Sequence, residues 1–169
     1  MRKLFFSGLL LCLSLNALGQ QETEKPSYQQ TSQATQSIAE QYFNAYISLD
    51  WDIIETLLAE TGGFEDPTAE LVFGQVKRIG KNETMKGFRE GYAGITQMTF
   101  NPQRTFFSGQ YAIFEGTLDW SIKLTEDKIA ETKAMPFVTI LKVVNGQVVE
   151  HKDFAHYGPF FEAVSATRK

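Results

Sequence analysis

Three aspartates in this sequence stand where a carboxylate could move a proton. Asp66 ends the short run Phe64-Glu65-Asp66-Pro67. Asp119 sits in Gly116-Thr117-Leu118-Asp119-Trp120, and Asp153 lies between the two histidines, His151 and His156. Burial raises a carboxyl pKa, and two carboxylates in one cavity separate into an acid and a base. His151 shares a strand face with Asp153 by alternation, and such a pair can pass protons near neutral pH, with His156 just beyond. Tyr42 offers a phenol that could hold a developing oxyanion. The spacing of His151, Asp153 and His156 matches no zinc motif, and neither a metal nor another cofactor is expected. Each residue also has a purely structural reading. Asp-Pro commonly starts a turn, a tyrosine on an apolar helix face is ordinarily core, and a His–Asp bond can simply fix a strand end.

The elements that must carry these groups follow from periodicity. Ile38, Tyr42, Ala45, Tyr46 and Leu49 recur at helical spacing. Asp50 caps a second short helix whose apolar side is Ile53, Ile54, Leu57 and Leu58, stopped by Thr61-Gly62-Gly63. An extended piece through Asp66 follows, because the residue before a proline avoids the helical region. Lys81–Gly94 reads as a third helix with Met85, Phe88 and Tyr92 on one side. Beyond Thr96 the period changes to two, giving strands over Met98–Phe107, Tyr111–Lys123, Thr132–Val144 and Gln147–Phe154. Ser108-Gly109-Gln110 and Asn145-Gly146 are hairpin turns, the latter of type I′. Tyr157–Ala166 adds a short terminal helix. Helices followed by an antiparallel meander make an α+β fold.

The chain has 169 residues and a net charge of −4, with one Cys and 14 Phe. That excludes a disulfide framework and argues against a nucleic-acid surface. Met1–Gly19 reads as a signal peptide: Arg2 and Lys3, an apolar run Leu4–Leu15, then Ala17-Leu18-Gly19. Its removal makes the chain two units more negative, takes away the only Cys, and implies a secreted or periplasmic protein. Residues 20–37 read as a polar linker with little to bury, and residues 38–169 as one domain. No other segment is long and apolar enough for a membrane span.

Five segments together carry a resemblance: IAEQYFNAY, DWDIIETLLAE, FEDP, RIGKNETMKGF and VVNGQVVEHKDFAHYGPF. In this order and spacing the chain resembles the nuclear transport factor 2-like superfamily, its SnoaL-like branch in particular. The resemblance implies a cone, a curved antiparallel sheet packed on three N-terminal helices, with a pocket between them. Tyr42 and Asp66 are similarly placed to the oxyanion-binding Tyr and general-base Asp of ketosteroid isomerases. That family's second, acidic donor position is occupied here by Val138. Asp153 and Asp119 are similarly placed to the catalytic aspartates of limonene epoxide hydrolases, whose bridging Arg position is occupied by Thr117.

The implied activity is proton transfer or hydration of a small apolar molecule, of isomerase, cyclase or epoxide-hydrolase type. Asp66 or Asp153 would be the base, assisted by Tyr42 or His156, with Asp119 as the further acid. His151, Trp51, Phe64, Phe73, Tyr92, Met98 and Phe137 are the residues expected to line the ligand pocket. The alternative is a module of the same fold without turnover, binding a small ligand or forming a homodimer through a sheet face carrying Phe114, Leu118 and Trp120.

Overall fold

The computed structural model describes residues 25–167. The expected signal peptide, Met1–Gly19, lies outside the described residues, as do the first residues of the expected linker.

Helix α1 spans Tyr28–Ile47 and so occupies most of the segment expected to be a polar linker. Its start is fixed by polar contacts rather than apolar burial. Ser27 and Gln30 form a reciprocal capping box. The Tyr28 hydroxyl then meets Ser108 Oγ at 2.8 Å, and Gly109 N donates to Ser32 Oγ at 2.9 Å. A hydropathy pattern does not register side-chain hydrogen bonds to a distant hairpin. Farther along, Ala39, Tyr42, Phe43, Ala45 and Tyr46 are buried.

Asp50 caps α2 (Trp51–Leu57), accepting from Ile53 N at 3.2 Å. Ile54 is buried on this helix, whereas Ile53 faces solvent. Strand β1 (Leu58–Asp66) begins at once, so Thr61-Gly62-Gly63 is strand rather than helix stop. Gly63 is needed for close approach: a Cβ there would stand 2.7 Å from the Arg78 carbonyl oxygen. A 3-10 turn at Pro67–Ala69 and a one-turn helix α3 (Glu70–Phe73) lead to β2 (Val76–Arg78). Helix α4 (Lys81–Gly91) buries Thr84, Met85 and Phe88 and ends three residues before the expected Gly94.

Strands β3 (Ile95–Ser108), β4 (Tyr111–Thr125), β5 (Lys128–Val144) and β6 (Gln147–Ala155) form the expected meander, and α5 (Gly158–Ala166) closes the chain. Asn145 and Gly146 both take positive φ, 51° and 77°, as the type I′ turn requires. The curved sheet has order β2-β1-β6-β5-β4-β3 and is unclosed. It is mixed rather than wholly antiparallel, because β1 runs parallel to β6.

Ala112, Phe114, Leu118 and Trp120 of β4 face inward and are buried under the helices. They are core, so they cannot form the exposed pairing face expected of Phe114, Leu118 and Trp120. A register shift after Lys142 turns Val148 inward along with His151 and Asp153, although simple alternation sets it opposite to them.

Candidate active site

An apolar cavity of about 260 Å³ opens between β1, β2, α4 and the start of α5. Phe64, Phe73, Phe88, Ile95, Trp120 and Ile122 give it its apolar wall, and Asp66, Arg78, Tyr92 and Tyr157 its polar groups. Phe64 and Asp66 lie two residues apart on one face of β1. Their partners across the ladder, Arg78 and Val76, belong to the same wall.

Asp66 is 4% exposed and is, among the described residues, the only carboxylate in that wall. Its Oδ1 accepts from Thr68 N (2.9 Å), Thr68 Oγ1 (2.5 Å) and Ala69 N (3.1 Å), capping the 3-10 turn. Its Oδ2 accepts from the Tyr157 hydroxyl at 2.5 Å. Thr68 Oγ1 is fixed in turn by Ala155 N at 2.8 Å. Burial raises the Asp66 pKa above its ordinary value, partly offset by the Thr68 and Tyr157 hydrogen bonds. Both readings of Asp-Pro therefore hold at once: the carboxylate starts a turn and faces a cavity.

A second polar cluster lies behind the wall. Asp153, 1% exposed, accepts from Tyr46 Oη at Oδ2 (2.6 Å) and from Thr139 Oγ1 at Oδ1 (2.6 Å). His151 Nε2 stands 2.9 Å from the same Oδ1, and His151 Nδ1 stands 3.3 Å from Tyr42 Oη. Tyr46 also meets the Tyr92 hydroxyl, which reaches the cavity. The cluster thus runs Tyr92–Tyr46–Asp153–His151–Tyr42, with one end at the ligand space. Burial, reinforced by the charge on Asp153, raises the pKa of both Tyr42 and Tyr46, so they stay neutral phenols.

The expected site residues therefore separate. Asp66, Phe64, Phe73 and Tyr92 line the cavity. Tyr42, His151 and Asp153 are buried together behind it, and Trp51 stacks on Phe88 at 5.3 Å without reaching the cavity. Phe137 is core, and Met98 borders a separate groove with Phe100 and Phe107. Asp119 is not brought to Asp153. It alternates outward between the buried Leu118 and Trp120, and its Oδ1 accepts from Ala134 N at 2.7 Å in a β5 bulge. His156 is exposed beyond the end of β6 and lines no part of the cavity. Thr117 and Val138 also face outward, and the inward position beside Val138 is Thr139.

Sequence reasoning missed Tyr157, Arg78, Tyr46 and Thr139 as site residues. Tyr46 was within reach, since it lies one helical turn from Tyr42. Tyr157 and Arg78 carry no local signal, because each meets the cavity only through strand pairing and the chain's return past β1.

A family model for the SnoaL-like domain matches residues 39–151. Among solved structures, the chain is similar to a Shewanella denitrificans protein provisionally named a SnoaL-like polyketide cyclase. Identity is 21% and the TM-score 0.68, covering 78% of this chain and 97% of that one. It is similar also to a Burkholderia pseudomallei NTF2-like protein of unknown function (17%, TM-score 0.63, covering 78% and 98%). A third likeness is to a Mycobacterium tuberculosis LEH-like epoxide hydrolase (15%, TM-score 0.60, covering 80% and 92%). At these identities the likeness is one of fold. No curated protein matches the sequence.

Proposed function

The chain belongs to the SnoaL-like family, and on that premise we propose a secreted or periplasmic proton-transfer enzyme acting on a small apolar molecule, with Asp66 as general base. The observation that carries this reading is the position of Asp66, among the described residues the single carboxylate in the wall of an apolar cavity and itself buried. The turn amides occupy Oδ1, and Tyr157 alone donates to Oδ2, which keeps one lone pair for a substrate proton. Taking a proton from a carbon beside a carbonyl moves an electron pair onto the carbonyl oxygen. Where the enolate is conjugated with a further double bond, return of the proton to the γ-carbon shifts that bond and completes an isomerisation. Delivery to a leaving hydroxyl completes a dehydration.

A direct test needs no knowledge of the product. Small cyclic ketones and enones are incubated with the protein in D2O, and exchange of their acidic C–H positions is followed by NMR. Exchange that disappears in Asp66→Asn supports the assignment, and exchange unchanged in that variant refutes it. One observation favours a second reading, a binder without turnover: among the described residues no second acid lines the cavity, since Asp153 is sealed behind Tyr46 and Tyr92. Ligands that raise the melting temperature but never exchange would establish it.

Export rests on the character of Met1–Gly19, and N-terminal sequencing of the mature protein checks it. A homodimer is proposed through the outer sheet face, where Phe106, Ile113 and Ile140 are aligned across three strands, with Phe154 beside Val138. Light scattering decides this, and a clean monomer removes it.

A further inference from the structure

The donors and acceptors of the cavity wall do not balance. Asp66 is nearly satisfied, with four donors on its two oxygens. Arg78, among the described residues the only cation in the same wall, is nearly unspent. A guanidinium has five N–H donors, and the one hydrogen bond that the Arg78 guanidinium makes among the described residues runs from Nη1 to the carbonyl of its neighbour Lys77, 2.9 Å away. No carboxylate pairs with it among those residues.

Its location is specific. Arg78 and Gly87 border both the cavity and an outer depression that also holds Lys77, Glu83, Lys86 and Glu90, so Arg78 stands at the mouth. The side chain lies across α4 at Gly87, where a Cβ would come within 3.0 Å of Nε, 3.3 Å of Cγ and 3.4 Å of Cδ. Glycine at that point gives the arginine its bed. Along the ladder Arg78 pairs with Phe64 and Val76 with Asp66. The backbone positions that carry the cation and the carboxylate are thus offset by two residues, about 7 Å along the strands.

We propose that the cavity takes an apolar monocarboxylate, its carboxylate seated on Arg78 at the mouth and its hydrocarbon body inside. A planar guanidinium fork matches a carboxylate with two parallel charge-assisted hydrogen bonds. The hydrocarbon body then extends along the wall toward Asp66. Neither feature rests on the reading of Asp66 as base.

Calorimetric titration with 4-phenylbutyrate, its alcohol 4-phenylbutan-1-ol and its amine 4-phenylbutylamine tests the proposal. The expected order is carboxylate at least about tenfold tighter than alcohol, with the amine weakest. Arg78→Gln should bring the carboxylate down to the alcohol and leave the alcohol unchanged, and Arg78→Lys should restore part of the difference. Equal binding of carboxylate and alcohol by the native protein overturns the proposal, as does a preference that survives in Arg78→Gln. Binding of none of the three overturns it together with the cavity reading. Carboxylate selectivity that depends on Arg78, without any Asp66-dependent exchange, upholds the seat and refutes the base.

Discussion

Tyr46 gives its phenolic proton to Asp153 Oδ2 at 2.6 Å, and this one bond fixes the direction of its neighbours. A phenol has a single proton, so the contact between Tyr46 and Tyr92 runs with Tyr92 donating. Tyr92 therefore turns lone pairs, not a proton, toward the cavity. With the His151 ring proton on Nε2, that N–H donates to Asp153 and Tyr42 donates to Nδ1. Every member of the cluster is then satisfied.

Tyr46→Phe removes that bond and strands the Tyr92 proton. Loss of a buried hydrogen bond to a charged acceptor costs about 2 kcal/mol of unfolding free energy, measured by denaturant titration. Tyr92→Phe leaves the Tyr46–Asp153 bond intact and costs less than about 1.5 kcal/mol. Equal costs would show that the bond does not run in this direction.

Asp153→Asn and Asp119→Asn should behave differently, although sequence places both acids in one catalytic pair. Asp153 receives Tyr46 and Thr139 with His151 beside it, so an amide there faces donor against donor and costs about 2–3 kcal/mol. Asp119 holds one exposed backbone bond to Ala134. Its replacement changes stability by less than about 1 kcal/mol and leaves ligand affinity unchanged. Thermal and chemical unfolding of both variants checks the contrast.

Asp66→Asn should lower any exchange or isomerisation rate by about 10²–10⁴ while preserving the fold. In the native protein the rate should rise with pH as Asp66 loses its proton. The midpoint should lie above the ordinary 3.8, because burial raises the pKa. A pH-rate profile with its rising limb at or below 3.8 contradicts the assignment.

The same raised pKa has a signature in stability. Between the ordinary value of 3.8 and the raised folded value, the folded chain holds a proton that the unfolded chain has released. The Asp66 contribution is therefore fully present below that window and lost as pH rises through it. The difference in unfolding free energy between native protein and Asp66→Asn should fall with rising pH over that range and level off above it.

Gly87→Ala should separate stability from binding. Alanine favours a helix interior by up to about 1 kcal/mol over glycine, so the melting temperature rises or holds. The new methyl displaces the Arg78 side chain and weakens carboxylate binding, while alcohol binding stays the same. Calorimetry beside thermal unfolding reads both effects.

Local patterns sufficed for the parts of this protein governed by short-range physics. Alternation named the four long strands, Asn145-Gly146 their last turn, and Asp50 the second helix start, because propensity and capping act over a few residues. Asp66 was visible as an acid held before a proline in an extended segment. Contacts distant along the chain decided the rest. The early start of the first helix depends on the hairpin at Ser108 and Gly109, and the fate of Thr61-Gly62-Gly63 on pairing with strands that come later. Asp119 and Asp153 look alike in sequence. A bulge and the inward course of β6 leave one half-buried on the outer face and bury the other with Tyr46. Arg78 becomes a cavity residue only because β2 pairs with β1 and Gly87 leaves it room. Residue type supplied the chemistry, and strand register determined which residues could share a site, since shifting a strand by one residue exchanges its two faces.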